Sequence, residues 1–415
     1  MDILLVILNY HPDGGAAAPL FTMLSERLVQ RGHSVSVLTA VPHYPTGQVP
    51  PDYRGRLISR SREKGVVVIR VGLPSVDRAK LTKRFMQFVA YQLGATLPAL
   101  RLNPDIVLSA TPAMGVWLPY AVLTRLRRKP AVYSVHDVYP EVGIKLGIFH
   151  NPAVIGAVTW LERSCLAGAR RVRILSESFG PRIKELGVEG DKLCLIYDWV
   201  DTDLIRPLPR LNEFSLAHGF DASFVVLYAG NMGLTHGLET IVNAASLLRD
   251  RPGVKIVFVG EGAGKDAAFE RTKQLGLSNV MYLPYQPRTR LPEVLASADV
   301  SLVSLQKGFG CDSLPSKTFS ILASGRPVIA SVDPGSDTWN LVTRSQAGLC
   351  VAPDDPRALA DAVIRLENDP QLRQSCGAQG RAYAKKHHSP DSAALAFERL
   401  FEDALCTSLR KPAAS

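Results

Sequence analysis

The chain has 415 residues, of which 46% are hydrophobic, and a net charge of +10. That length exceeds what one core usually supports, so two domains are expected, and the apolar content excludes a disordered chain. No uncharged apolar run reaches the roughly 18 residues of a membrane span. The six cysteines (Cys165, Cys194, Cys311, Cys350, Cys376, Cys406) form no C-x-x-C pair and no metal-ligand spacing, which fits a reduced cytoplasmic setting.

In chain order, Met1-Asp2 leads without a basic leader into Ile3 to Leu8. That continuous apolar run suits a strand buried on both faces of a parallel sheet. Asn9 to Ala16 is a loop with Pro12, Gly14 and Gly15, Pro19 to Gln30 has helical spacing, and Val35 to Thr39 is the next strand. This βαβ unit is followed by strands at Val66 to Val71, Ile106 to Ser109 and Ala131 to Val135, and by helices at Ala153 to Ala167 and Phe179 to Leu186. Phe85 to Leu100 carries no charge and follows Lys80, Lys83 and Arg84. It reads either as a core helix or as a helix lying on a membrane.

Arg206 to Pro209 and the polar stretch to His218 read as a linker. The strand-loop-helix pattern then restarts at Val225 and runs to helices at Asp354 to Glu367 and Pro370 to His387. The expected organisation is an α/β fold of two Rossmann-like domains facing across a cleft. One spans residues 1–205 and the other 206–388, with a last helix near 389–405 returning to the first. Ligands of such sheets sit at the carboxyl ends of the strands.

The charge is uneven. Residues 1–200 hold 25 Lys and Arg against 15 Asp and Glu, and the remainder is balanced. The first half therefore faces something anionic: nucleic acid, a membrane surface or a phosphorylated substrate. Nucleic acid would call for interleaved aromatics or a reading helix, and neither is evident.

Four segments carry chemistry. Gly14-Gly15 and Ala229-Gly230-Asn231-Met232-Gly233 are glycine loops, each after the first strand of its unit, where backbone can approach a ligand. His136-Asp137-Val138-Tyr139-Pro140-Glu141 puts three ionisable groups at a strand's carboxyl end, suited to catalysis or substrate hydrogen bonding. Asp312 could accept hydrogen bonds from sugar hydroxyls. After it, Pro315 is set to begin a helix, and Ser316, Lys317 and Thr318 crowd its N-terminus, where an anion such as a phosphate binds. The helix ends at Gly325.

Together these features, with Val41-Pro42-His43-Tyr44-Pro45-Thr46-Gly47, Tyr197 to Pro207 and Ala323-Ser324-Gly325-Arg326-Pro327-Val328-Ile329, resemble a GT-B glycosyltransferase of the GT4 type. The subgroup they resemble most is the bacterial surface-polysaccharide enzymes similar to colanic-acid and O-antigen transferases. The resemblance implies retaining transfer from a nucleotide-sugar donor held mainly by the second domain. It implies no metal and no other cofactor. It places Gly14 and Gly15 at the donor phosphates or the reacting centre, His136 at the donor sugar, Gly230 near the phosphates, and Asp312 at the first acidic place of the E-x7-E pattern. Asp137 and Glu141 fall on the acceptor side. Two features depart from the family: Ser320 stands at the second acidic place, which holds the ribose, and Asn231 and His236 stand where Arg and Lys are usual. Lys317 is then expected to meet the phosphate charge. The basic first half and the Phe85–Leu100 stretch suggest a lipid-linked saccharide acceptor and a cytoplasmic enzyme lying on the inner membrane face.

A nicotinamide oxidoreductase would need G-x-G-x-x-G after the opening strand. Asp13-Gly14-Gly15-Ala16 fails that pattern, and Gly260-Glu261-Gly262-Ala263-Gly264 comes late in the chain. A sugar-nucleotide epimerase of the same build would need more carboxylates than Ser320 leaves. A non-enzymatic nucleic-acid-binding protein is the remaining alternative.

Overall fold

A computed structural model describes residues 1–14, 17–77, 81–145, 147–310 and 314–406. Gly15, Lys80, Cys311 and Asp312 lie outside the described residues. Two compact units emerge, Met1–Asp198 with the segment from Pro390, and Trp199–Ser389.

The first unit runs β1 (Asp2–Val6), α1 (Ala17–Gln30), β2 (Ser34–Ala40), β3 (Ile58–Glu63), β4 (Val66–Val71), α2 (Leu81–Arg101), β5 (Ile106–Ala110), α3 (Ala113–Ala121), β6 (Ala131–Val135), α4 (Glu141–Lys145), α5 (Pro152–Gly168), β7 (Arg171–Ile174), α6 (Phe179–Glu185) and β8 (Leu193–Leu195). The sheet order is β3-β4-β2-β1-β5-β6-β7-β8. β1 pairs in parallel with β2 and β5, so the strand order reverses beside it and the loops after β1 and β5 diverge. This is the switch point at which such sheets bind ligands. β1, β5 and β6 are buried almost throughout, which is why their sequences are unbroken apolar runs.

β3 was not expected from the sequence. It pairs antiparallel with β4 at the sheet edge, and its residues Arg60 and Arg62 are exposed. A charged edge strand shows no apolar alternation and resists edge-to-edge pairing. Helices α2, α3 and α5 pack side by side as one layer, while α1 packs against the C-terminal helix described below.

The second unit runs α7 (Glu213–Ala217), β9 (Phe224–Ala229), α8 (Leu238–Leu247), β10 (Val254–Val259), α9 (Lys265–Gln274), β11 (Val280–Leu283), α10 (Leu291–Ala296), β12 (Val300–Ser304), α11 (Lys317–Ser324), β13 (Val328–Ser331), α12 (Asp337–Ser345), β14 (Gly348–Val351), α13 (Pro356–Asn368) and α14 (Pro370–His387). Its six parallel strands are ordered β11-β10-β9-β12-β13-β14. The chain then closes with α15 (Pro390–Cys406), which packs on α1 and β6 of the first unit. Its Glu398 takes hydrogen bonds from Arg31 and His33, and its Phe397 ring lies 5.9 Å from the Arg173 guanidinium.

Two expectations are corrected. The stretch Arg206–His218 is not a free linker but part of the second unit. Asn212 caps α7 in a capping box, Phe214 is buried, Arg210 pairs with Asp299 at 2.8 Å, and Arg326 donates to the Leu208 carbonyl. Polar composition looked like a tether, yet these polar groups are spent on caps and ion pairs. Pro315 does not begin α11; the helix starts at Lys317, and the Thr318 amide donates back to the Pro315 carbonyl. The ending is as expected: Gly325 closes α11 in the left-handed conformation at φ 71°.

Candidate functional site

In the second unit, the loop after β9 is stitched to itself and to its neighbours by backbone. Gly230 has φ +124° and Gly260 φ +148°, conformations that side chains rarely adopt. A Cβ on Gly260 would stand 2.0 Å from the Gly230 carbonyl oxygen, and one on Gly262 2.5 Å from that of Met232. The glycines at 260 and 262, which failed as a dinucleotide fingerprint, thus let two loops at the ends of β9 and β10 touch backbone to backbone.

Lys317 stands over this floor. Its Nζ lies 3.7 Å from the centre of the Tyr228 ring. It is buried and has no hydrogen-bond partner. Its Cε would be 3.7 Å from a Cβ on Gly230. Burial pulls its pKa down to about 7. A cation in that position lacks what buried charges normally require, a counter-charge. Tyr228 donates to the Asn231 carbonyl at 2.7 Å. His236 Nδ1 lies 2.7 Å from the same carbonyl and 2.9 Å from the Tyr228 hydroxyl. Burial first, then the Lys317 charge, depresses the His236 pKa, so His236 serves the loop and offers no positive charge.

Asn231 and Ser316 are exposed, Ser320 is half-buried one turn along α11, and Thr318 is buried with its hydroxyl unpartnered. The loop that leads to Asp312 is pinned from beneath: Asp333 accepts from the Gly308 and Gly310 amides at 2.9 Å, and Asp354 from the Lys307 amide at 3.1 Å.

In the first unit, His136 follows β6. Its ring Nε2 is 3.2 Å from Ser134 Oγ and 3.4 Å from Arg173 Nη1. A guanidinium only donates, so Nε2 is the accepting nitrogen and the proton sits on Nδ1. Nδ1 is 4.0 Å from Asp198 Oδ1. Burial, only partly opposed by Asp198 and reinforced by Arg173, lowers the His136 pKa to about 4. His136 is therefore a neutral hydrogen-bonding group. Arg173 is fully buried, reaches Asp198 at 2.7 Å and donates to the Ile196 carbonyl at 2.6 Å.

Thr111 Oγ1 accepts from the His136 amide at 2.9 Å. The chain just after Thr111 is held by Glu162, a buried carboxylate that takes the Ala113 amide at 2.7 Å and the Tyr133 hydroxyl at 3.1 Å. Burial, against those two hydrogen bonds, lifts the Glu162 pKa to about 7. Asp137 lies next to His136, its pKa raised first by desolvation of its carboxylate and then by Asp198, and Glu141 is ion-paired with Arg182.

The sequence reading missed Asp13. Its Oδ1 accepts from the Gly14 and Tyr44 amides at 2.9 and 2.8 Å, and its Oδ2 from Asn9 at 2.7 Å with His43 Nδ1 3.3 Å away. Burial opposes its charge, but the His43 and Asn9 hydrogen bonds outweigh it and hold the pKa below the usual carboxylate value. This knot ties the Gly14 loop to the Tyr44 loop and leaves the Tyr44 ring 45% exposed. The signal was present in Asp13 and His43, but their union needs β1 and β2 side by side. Among the described residues, no three His, Cys, Asp or Glu gather as a metal site.

Two parallel-sheet Rossmann-like units define a GT-B glycosyltransferase fold. Over the whole chain the fold is similar to that of sucrose-phosphate synthase from Thermosynechococcus elongatus (TM-score 0.70, 18% identity, 98% of this chain and 100% of that one). It is similar also to Anabaena Alr3699/HepE, seen in complex with UDP-glucose (TM-score 0.67, 15% identity, 98% and 100%). Residues 15–199 match the glycosyl transferase 4-like domain, and residues 214–383 match glycosyl transferases group 1. In sequence the chain is 27% identical over 373 residues to WcaI of Escherichia coli (strain K12), named as a colanic acid biosynthesis glycosyl transferase, covering 88% of this chain and 91% of WcaI. It is 25% identical over 299 residues to the probable glycosyltransferase WbjE of Pseudomonas aeruginosa, covering 71% and 74%. The chain belongs to the GT-B glycosyltransferases of GT4 type, as its sequence motifs suggested.

Proposed function

We propose that this glycosyltransferase moves a hexosyl group from a nucleotide-sugar donor, with retention at the anomeric carbon, to a lipid-linked saccharide in cell-surface polysaccharide synthesis. The observation that carries the reading is the buried, unpartnered ammonium of Lys317 above the positive-φ Gly230. A donor diphosphate would supply the missing counter-charge, and the first turn of α11 would add its dipole. No metal or other cofactor enters the proposal. His236 is depressed in pKa and tied into its loop, so Lys317 takes the place of the basic pair usual in the family. Gly14, Gly15, Gly230, Asn231 and Ser316 would line the donor, Ser320 the ribose, and Asp312 the sugar.

His136 would offer its Nδ1 proton to a donor-sugar hydroxyl. Its neutrality suits it to hydrogen bonding through the physiological range, with no change of charge. Support for a nucleotide donor comes from the UDP-glucose complex of HepE, and for a polysaccharide product from the name of WcaI. The acceptor half of the proposal rests on the basic first unit, placed at the inner face of the membrane. The test is to incubate the protein with a panel of UDP- and GDP-sugars and read nucleotide release. Release from one donor, unaffected by EDTA and abolished in Lys317→Ala, supports the proposal. Release from none of them overturns it.

A further inference from the structure

We propose that the outer face of α2, with the segment after α3, is a docking surface for an anionic lipid bilayer. In α2, Gln87, Tyr91, Ala95 and Ala99 are buried, so this helix does have a core face. The opposite side is the unusual one. Phe85, Met86, Val89, Leu93, Leu97 and Leu100 are all exposed, Phe85 and Leu93 at 63%. At about 100° per residue these six fall within roughly 120° of the helix circumference, and at about 1.5 Å per residue they span roughly 23 Å. Scattered surface leucines need no explanation, but a continuous stripe on a single helix marks an interaction site.

Charge says what covers the stripe. From Arg78 to His136 the sequence holds nine Lys and Arg and one acidic residue, Asp105. No acidic residue lies in α2 itself. Lys83 and Arg101, 18 residues apart, share one azimuth at the stripe's edge, one at each end. At the C-terminal end, Arg127 donates to the Leu100 carbonyl and to Asn103 at 3.2 Å. That contact brings the helical end and following residues Arg125-Leu126-Arg127-Arg128 beside the stripe, with Leu126 exposed.

An apolar band edged by cations and free of acids matches the interface of an anionic membrane, where apolar side chains enter the acyl boundary and Lys and Arg meet headgroup phosphates. A second copy of the chain would place like charges against each other. No helix among the described residues is long and apolar enough to cross a membrane, so the contact proposed is peripheral.

The inference rests on the membrane placement proposed above for the first unit but not on the donor chemistry, because its test needs no substrate. The full chain is floated with vesicles of phosphatidylcholine, or of phosphatidylcholine with about 30 mol% phosphatidylglycerol, in about 0.05 and 0.5 M NaCl. Binding is expected to the anionic vesicles, weakened by salt. Lys83→Ser with Arg101→Ser should reduce the partition by roughly 25-fold, about five-fold for each basic residue near the surface. Leu93→Ser with Leu97→Ser, both at exposed positions, should abolish it while leaving circular dichroism and melting unchanged. No binding to anionic vesicles overturns the proposal. So does equal binding by the Ser variants, and so does sedimentation showing a dimer that Leu93→Ser dissociates.

Discussion

Replacing Lys317 by methionine should have two effects of opposite sign. The side chain keeps its length and its packing on Tyr228 but loses the ammonium. In the empty protein that ammonium is a burden: its pKa falls from 10.5 to about 7. Each unit corresponds to roughly 1.4 kcal/mol, which sets an upper bound of about 5 kcal/mol. Solvent screening of a side chain that is not fully buried, and the attraction of the Tyr228 ring, reduce this to about 2 kcal/mol. For a unit of this size that is a rise of roughly 4–8 °C in Tm.

The sign follows from proton binding. Between pH 7 and 10.5 the unfolded chain holds the proton and the folded one does not, so wild-type stability climbs with pH across that window. The methionine variant should show no such climb, and its advantage should be greatest at or below pH 7. Donor binding should move the other way. Loss of one preorganised charge at the diphosphate lowers kcat/KM by roughly 10²–10³-fold. Calorimetry gives a further reading. At pH 8 the free lysine is mostly neutral, so UDP binding should take up a proton, seen as a dependence of the heat on buffer ionisation. Lys317→Met should lose that dependence. A variant that binds UDP as tightly as wild type, or a wild type that takes up no proton, would refute the reasoning.

His136→Ala should lower kcat by about 10²-fold while UDP affinity stays within a few-fold, because a sugar contact matters most at the transition state; calorimetry that shows UDP affinity lost instead removes the assignment. Asp13→Ala leaves the Asn9 side-chain amide and the Gly14 and Tyr44 backbone amides without their acceptor, and urea unfolding should show a loss of about 2–4 kcal/mol. The Asp13 contribution is present above the carboxylate's ordinary pKa near 3.8 and disappears as pH falls through its lower folded value, so the variant and wild type should converge in strong acid. Glu162 behaves in reverse: with its pKa raised to about 7, the folded protein loses stability as pH rises from about 4.5 to 7, by roughly 2–3 kcal/mol. Glu162→Gln should flatten that part of the pH profile in thermal melts, and an unchanged profile would show that the carboxyl ionises freely.

Much of the fold is legible along the chain because its signals are local. Unbroken apolar runs such as Ile3–Leu8 and Ala131–Val135 announce strands covered on both faces, and Gly325 ends its helix where a left-handed residue is required. The family motifs are local too, so the two-domain class could be read before any coordinates. Where the sequence misled, composition stood in for pairing. Arg206–His218 looked like a tether because it is polar, and β3 went unseen because a charged edge strand needs no apolar face.

The site itself is only half local. Gly230, His136 and Lys317 can be picked out by their positions at strand ends and a helix start. What they are like chemically depends on neighbours distant in sequence. Lys317 is unpaired because Tyr228, about ninety residues earlier, presents a ring in place of a carboxylate. His136 is neutral because the fold buries its ring, with Arg173 of β7 at its Nε2 adding to the effect. Asp13 and His43 become a pair only when β1 and β2 lie side by side. The stripe on α2 is apolar in any reading of the sequence, but only packing decides that Gln87 goes inward while Phe85 and Leu93 stay out. Sequence periodicity tells which residues share a face, whereas burial, charge state and partner are set by which elements the fold brings together.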